Sequence, residues 1–112
     1  MKIKMKTTKS KTHLIKIFIA GDKQLARQVL QEYVMRGACV SITNEEYIYT
    51  MGYEAGIVVN LFNYPRFPRS EQKLLDQALK LAELLIEKLY QGSCTVVDYN
   101  GDSYFIDRRN NE

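Results

Sequence analysis

TMGYEAGIVVNLFNYPRFPRS, residues 50–70, runs from a tyrosine-rich reversal through an apolar strand into a stiff connection that opens a helix. Gly52 and Gly56 bracket the reversal, since glycine enters tight backbone geometry without a Cβ penalty. GIVVNLF, residues 56–62, has the β-branched, apolar character of a buried strand. Pro65 and Pro68 then exclude regular structure, and Ser70 is a good N-cap for a helix beginning at the next residue. A strand that turns out of a neighbour and leads directly into a long helix is half of a strand-helix-strand unit. The rest of the chain supplies the other parts.

Upstream, HLIKIFI at residues 13–19 has one charge among β-branched and aromatic residues, as a largely buried strand does. Asp22 can cap a helix in which Leu25, Ala26, Val29, Leu30, Tyr33 and Val34 recur at helical spacing, and Gly37 ends it. A strand follows from about Ala38 to Thr43, continued through Tyr47, Ile48 and Tyr49 after the turn-like Asn44. So short a link to the next strand implies antiparallel pairing. Downstream, the helix opened by Ser70 runs to about Tyr90, before Gly92, and the chain closes with SCTVVDY, an Asn100-Gly101 hairpin turn and SYFI. The order is strand, helix, strand, strand, helix, strand, strand. It predicts an α+β fold, a ferredoxin-like split β-α-β arrangement (βαββαβ) with an extra C-terminal hairpin strand. A mixed α/β sheet of another order is the competitor.

With 112 residues the chain holds one core. The expected organisation is a flexible basic tail over residues 1–12, one domain over 13–107 and a disordered tail over 108–112. The net charge of +3 is a property of the first sixteen residues, where Lys2, Lys4, Lys6, Lys9, Lys11 and Lys16 face no acidic residue. Ten basic residues against 13 acidic ones remain elsewhere, so the body is about −3. Such a tail is either a solvated leader or a weak contact for nucleic acid. Leu14 to Ala20 is interrupted by Lys16 and is too short for a signal-peptide core, and no run is long enough to span a membrane. The expected location is the cytoplasm. Cys39 and Cys94 lie in apolar runs without metal spacing and read as buried free thiols.

The long helix carries Leu74, Leu75, Ala78, Leu79, Leu81, Ala82, Leu85, Ile86 and Leu89, more than the stripe of a surface helix. One flank suits a sheet, and the other suits a second copy, so a homo-oligomer, dimer or higher, is expected.

The strongest candidate site is the start of that helix. Arg66, Arg69 and the Ser70 hydroxyl lie within a turn of unpaired N–H groups, a place for phosphate or carboxylate. Tyr64 and Phe67 offer flat faces for stacking a base. The structural alternative has both rings plugging the core edge and both arginines pairing with Glu71 or Asp76 in solvent. Tyr49, Tyr53 and Glu54 form a second cluster, able to close a pocket or read a ribose. Its alternative is a solvated hairpin tip. His13, the one histidine, has no partner in sequence and reads as structural. No catalytic constellation, metal spacing or cofactor fingerprint is visible.

IFIAGD, YIYTMGYEAG and LFNYPRFP around two amphipathic helices resemble small tailed-phage proteins over most of residues 14–106. Some proteins of that kind are oligomers that sequester nucleotide-derived immune signals. The resemblance implies a non-enzymatic, homo-oligomeric counter-defence protein binding a nucleotide-like small molecule, with no cofactor. A protein-binding inhibitor of a host factor and a small RNA- or DNA-binding protein are the alternatives.

The charge division yields a first prediction. Removing residues 1–11 leaves folding intact and abolishes weak, salt-sensitive adhesion to nucleic acid in a low-salt gel shift. Equal retention of the truncated and full chains refutes it.

Overall fold

The computed structural model describes residues 2–109. Its elements follow the expected order: β1 (Leu14–Ala20), α1 (Lys23–Tyr33), a 3₁₀ turn (Val34–Arg36), β2 (Ser41–Tyr49), β3 (Gly52–Phe62), α2 (Glu71–Lys88), β4 (Ser93–Asp98) and β5 (Ser103–Asp107). The sheet is ordered β2-β3-β1-β4-β5 and is antiparallel throughout. This is the split β-α-β arrangement, with β5 added beside β4.

β1 is central, and its alternation shows which face is covered. Ile15, Ile17 and Ile19 are fully buried with Ile57, Val59, Leu61 and Val96 from the neighbouring strands. Both helices lie over this face, α2 against β1 and β4, α1 beside α2. Leu74, Ala78, Leu81, Ala82, Leu85 and Ile86 are buried there, while Leu75, Leu79 and Leu84 are half-buried against the same core. None of the large exposed apolar residues belongs to α2. The surface that suggested a second copy is thus covered within the chain, and the helix carries no argument for self-association.

Several local expectations are revised. Asn44 does not break β2, because it pairs with Ile57 in an unbroken ladder from Ser41 to Tyr49. The reversal falls at Thr50-Met51, with Met51 in the left-handed region (φ 64°). Gly52 and Gly56 serve packing instead. A Cβ on Gly52 would lie 2.0 Å from the Tyr49 ring. One on Gly56 would lie 2.4 Å from the Ile19 carbonyl oxygen and 2.6 Å from the Tyr47 ring. Each tyrosine covers a glycine and restores the side-chain surface that the glycine lacks. Tyr47 also donates its hydroxyl to the Ile57 carbonyl at 2.6 Å. Burial first and the Glu45 carboxylate second push its phenol up to about 12.

α2 ends at Lys88 with Leu89 as its cap, close to the expected Tyr90, and the left-handed residue that closes it is Tyr90 and not Gly92. Tyr90 takes φ 57°, and the Gln91 N–H reaches back to the Ile86 carbonyl at 2.9 Å, the double-bonded C-terminal motif usually built on glycine. Arg108, expected to be disordered, is held at the same place: its guanidinium donates to the carbonyls of Ile86 (3.0 Å) and Gln91 (3.2 Å). A cation here also complements the helix dipole. Residues 110–112 of that expected tail lie outside the described residues. No helix among the described residues is long and apolar enough to cross a membrane.

Gly56→Ala is expected to destabilise the fold by about 1–3 kcal/mol or more, as overpacking does, because the obstructing atom is backbone. Urea denaturation of the variant measures it, and a midpoint equal to the parent's contradicts the packing role.

Candidate ligand-binding site

Where β3 ends, Asn63 takes over. Its backbone N–H donates to the His13 carbonyl at 2.9 Å, and its side-chain amide bonds both ways, to the Lys11 carbonyl (2.9 Å) and from the Arg69 N–H (2.7 Å). One residue thereby closes the Tyr64–Arg69 loop onto the start of β1. Sequence reasoning missed it; an asparagine just before a proline-rich connection was the available signal. Inside the loop Pro65 sits second in a turn closed by the Phe67 N–H on the Tyr64 carbonyl at 2.9 Å.

The loop walls a hollow of about 260 Å³, lined by Gly37, Ala38, Cys39, Phe62, Tyr64, Phe67, Arg69, Leu74 and Gln77. Its walls are mainly aromatic and aliphatic. Tyr64 stands edge-on to Phe62, with centroids 5.5 Å apart. Burial first, then the adjacent Cys39 thiol, push the Tyr64 phenol up to about 12, so it stays a neutral donor at physiological pH. Arg69 donates to the Gly37 carbonyl at 3.1 Å. The Gln77 carbonyl oxygen is shut from solvent without a hydrogen-bond partner, a condition that costs about 1–3 kcal/mol when nothing relieves it.

Of the expected site residues, Tyr64, Phe67 and Arg69 therefore meet in one place. Arg66 lies over the Phe67 ring at 5.3 Å and does not line the hollow. The Ser70 hydroxyl accepts the Lys73 N–H at 3.2 Å as the helix cap. Neither arginine pairs with Glu71 or Asp76 among the described residues. Tyr49, Tyr53 and Glu54 sit at the exposed tip of the β2–β3 hairpin. From Ser41 to Tyr49 the strand covers roughly 27 Å, so the tip and the hollow are separate features of the chain. Desolvation and then the Glu54 carboxylate raise the Tyr49 phenol's pKa.

Two further residues depart from expectation. Cys39, read as buried, is exposed beside the hollow, in a segment that precedes the β2 ladder and joins no strand; Cys94 is buried in β4. His13 is closed in at 2% exposure, with Nε2 3.5 Å from Asp98 and Nδ1 3.9 Å from Glu71, neither hydrogen-bonded. Among the described residues no group of three metal-ligating side chains converges.

Neither a protein-family model nor a curated protein matches the chain in sequence. In three dimensions it is similar to a phage SAM lyase in its apo state, at 16% identity and a TM-score of 0.67 over 89% of this chain and 92% of that one. It is also similar to a phage SAM lyase in complex with S-methyl-5'-thioadenosine, at 13% identity and a TM-score of 0.60 over 95% and 97%. At these identities the likeness establishes the fold alone. It nonetheless corrects one expectation. The sequence reads as non-enzymatic for want of a catalytic constellation, yet both solved neighbours of this architecture are lyases. Lack of a nucleophile or paired carboxylates is no ground against an enzyme of this shape.

The two thiols should part cleanly. Burial pushes Cys94 up to about 11, so a thiol reagent at neutral pH modifies Cys39 in the folded protein and Cys94 only after denaturation. Peptide mass mapping checks this, and equal labelling of both without denaturant contradicts it.

Proposed function

We propose that the chain is an enzyme of the lyase type acting on an adenosyl sulfonium such as S-adenosylmethionine, with the Tyr64–Gln77 hollow as its nucleoside seat. The observation that carries the reading is the pairing of aromatic walls with one orphaned buried acceptor, the Gln77 oxygen. A purine ring stacks on Tyr64 or Phe67, and base stacking of this kind is worth about 1–3 kcal/mol. The terminal torsion of a glutamine is soft, so the amide can turn its oxygen onto a donor such as the adenine amino group and its N–H onto a ring nitrogen, the usual glutamine-adenine pairing.

The chemistry asks little of the protein. When the sulfonium's bond to its aminocarboxypropyl chain breaks, the bonding pair stays on sulfur, which becomes the neutral thioether of 5'-methylthioadenosine. The released carbon is taken by the same aminocarboxypropyl chain's own carboxylate, which closes a lactone, and the route needs neither water nor a protein base. Positive charge on sulfur disappears in the step, so an apolar wall that solvates the cation poorly favours it. Tyr64, a neutral phenol at physiological pH, adds no charge to hold the cation back. A phage counter-defence role, the removal of a host nucleoside, is part of the proposal and rests on the resemblance to small tailed-phage proteins. Self-association belongs to it on the same footing.

The test is incubation of purified protein with S-adenosylmethionine, with products resolved by liquid chromatography and mass spectrometry. 5'-Methylthioadenosine should accumulate with protein-dependent turnover. Tyr64→Ala should weaken 5'-methylthioadenosine binding by about 5- to 150-fold, the equivalent of the stacking term, with the melting temperature little changed. Intact substrate together with no calorimetric binding of 5'-methylthioadenosine would sink the reading.

A further inference from the structure

A second hollow, of about 330 Å³, adjoins the aromatic one and shares Gly37, Ala38, Arg69 and Gln77 with it. Its character is opposite. Arg36, Arg69, Lys73 and Lys80 bring four cations to it against the single carboxylate of Asp76. Lys73, Gln77 and Lys80 follow one another at helical spacing along α2, so they share a face. Among the described residues no ion pair neutralises any of the four cations. Asp76 is oriented by the Gln72 amide at 2.9 Å.

Lys73 is also in the wrong place for the helix. Ser70 caps α2 by accepting the Lys73 N–H, which makes residue 73 the third helical position, where glutamate or glutamine would complete a capping box. A cation in the first turn opposes the helix dipole as well. Like charges gathered in one groove, one of them against local preference, mark a site whose stabilising partner is an anion.

We propose that this cationic hollow seats the α-amino acid end of the substrate, its carboxylate between Lys73, Lys80 and the arginines and its ammonium against Asp76. The inference rests on the nucleoside reading above and deepens it: the ligand is an adenosyl thioether or sulfonium that carries an α-amino acid, not a bare nucleoside. The shared wall at Arg69 and Gln77 then lies beside the three-carbon chain that joins the two ends, where the sulfur also sits. Asp76 gives the ammonium of a zwitterion a partner that a simple dianion such as a phosphate has no use for.

Calorimetry on the full chain with three probes decides it: S-adenosylhomocysteine, its decarboxylated analogue, and 5'-methylthioadenosine. S-adenosylhomocysteine should bind at least about tenfold more tightly than either of the others in low salt, with the advantage shrinking as salt rises. The double variant Lys73→Met with Lys80→Met, shown folded by circular dichroism, should lose most of that advantage while binding 5'-methylthioadenosine as the parent does. Asp76→Asn should weaken S-adenosylhomocysteine and leave 5'-methylthioadenosine unchanged. Equal affinities of the three probes for the parent would overturn the amino-acid seat and leave the nucleoside reading standing. So would a double variant that keeps the advantage or weakens all three alike. Failure of 5'-methylthioadenosine itself to bind would take both readings down.

Discussion

The burial of α2 across the alternate isoleucines of β1 is the contact on which the rest of the molecule hangs. Ile15, Ile17 and Ile19 present one face of the central strand, and Leu81 and Leu85 lie over it with no solvent exposure. Truncating one such leucine to alanine typically costs about 2–5 kcal/mol, a large fraction of a small domain's total stability. This packing sets the height and direction of α2. Through α2 it sets where the Tyr64–Arg69 loop must arrive.

The loop is consequently held at both ends by elements that cannot move independently. Asn63 ties it to the irregular segment before β1 and to the residue before the helix cap, and the prolines remove much of its own freedom. A hollow built this way is formed before a ligand arrives, which lowers the ordering cost of binding. Tyr64 and Phe67 line the hollow together with Gln77, whose side-chain oxygen is buried without a partner.

In the proposed reaction, a division of labour between two adjoining hollows would let the site act without a familiar catalytic group. An apolar chamber disfavours a sulfonium, and a cationic one would anchor the far end of the molecule, so the proposal puts the reacting bond where charge is least supported. The substrate brings its own leaving group. What the protein contributes in this reading is placement and exclusion of water. Both can be built from aromatic, aliphatic and basic residues.

The order of elements and their pairing were legible in the sequence, because alternation, helical spacing and caps such as Asp22 and Ser70 are local signals that the chain carries within a few residues. The same holds for the aromatic and arginine content of residues 64–69. What only the tertiary structure decided was company. Met51 and Tyr90 take left-handed backbones although glycines stand one and two residues further on. Arg108 docks on a helix end far from it in sequence, and Cys39 lies in the open in a segment outside the sheet. Tyr49, Tyr53 and Glu54 look equivalent to Tyr64 and Phe67 as residue types, yet a nine-residue strand carries them to the other end of the hairpin. The cationic hollow joins Arg36 after α1 to Lys73 and Lys80 on α2. Convergence of this kind is long-range, set by how the helices lie on the sheet, and no window of sequence contains it.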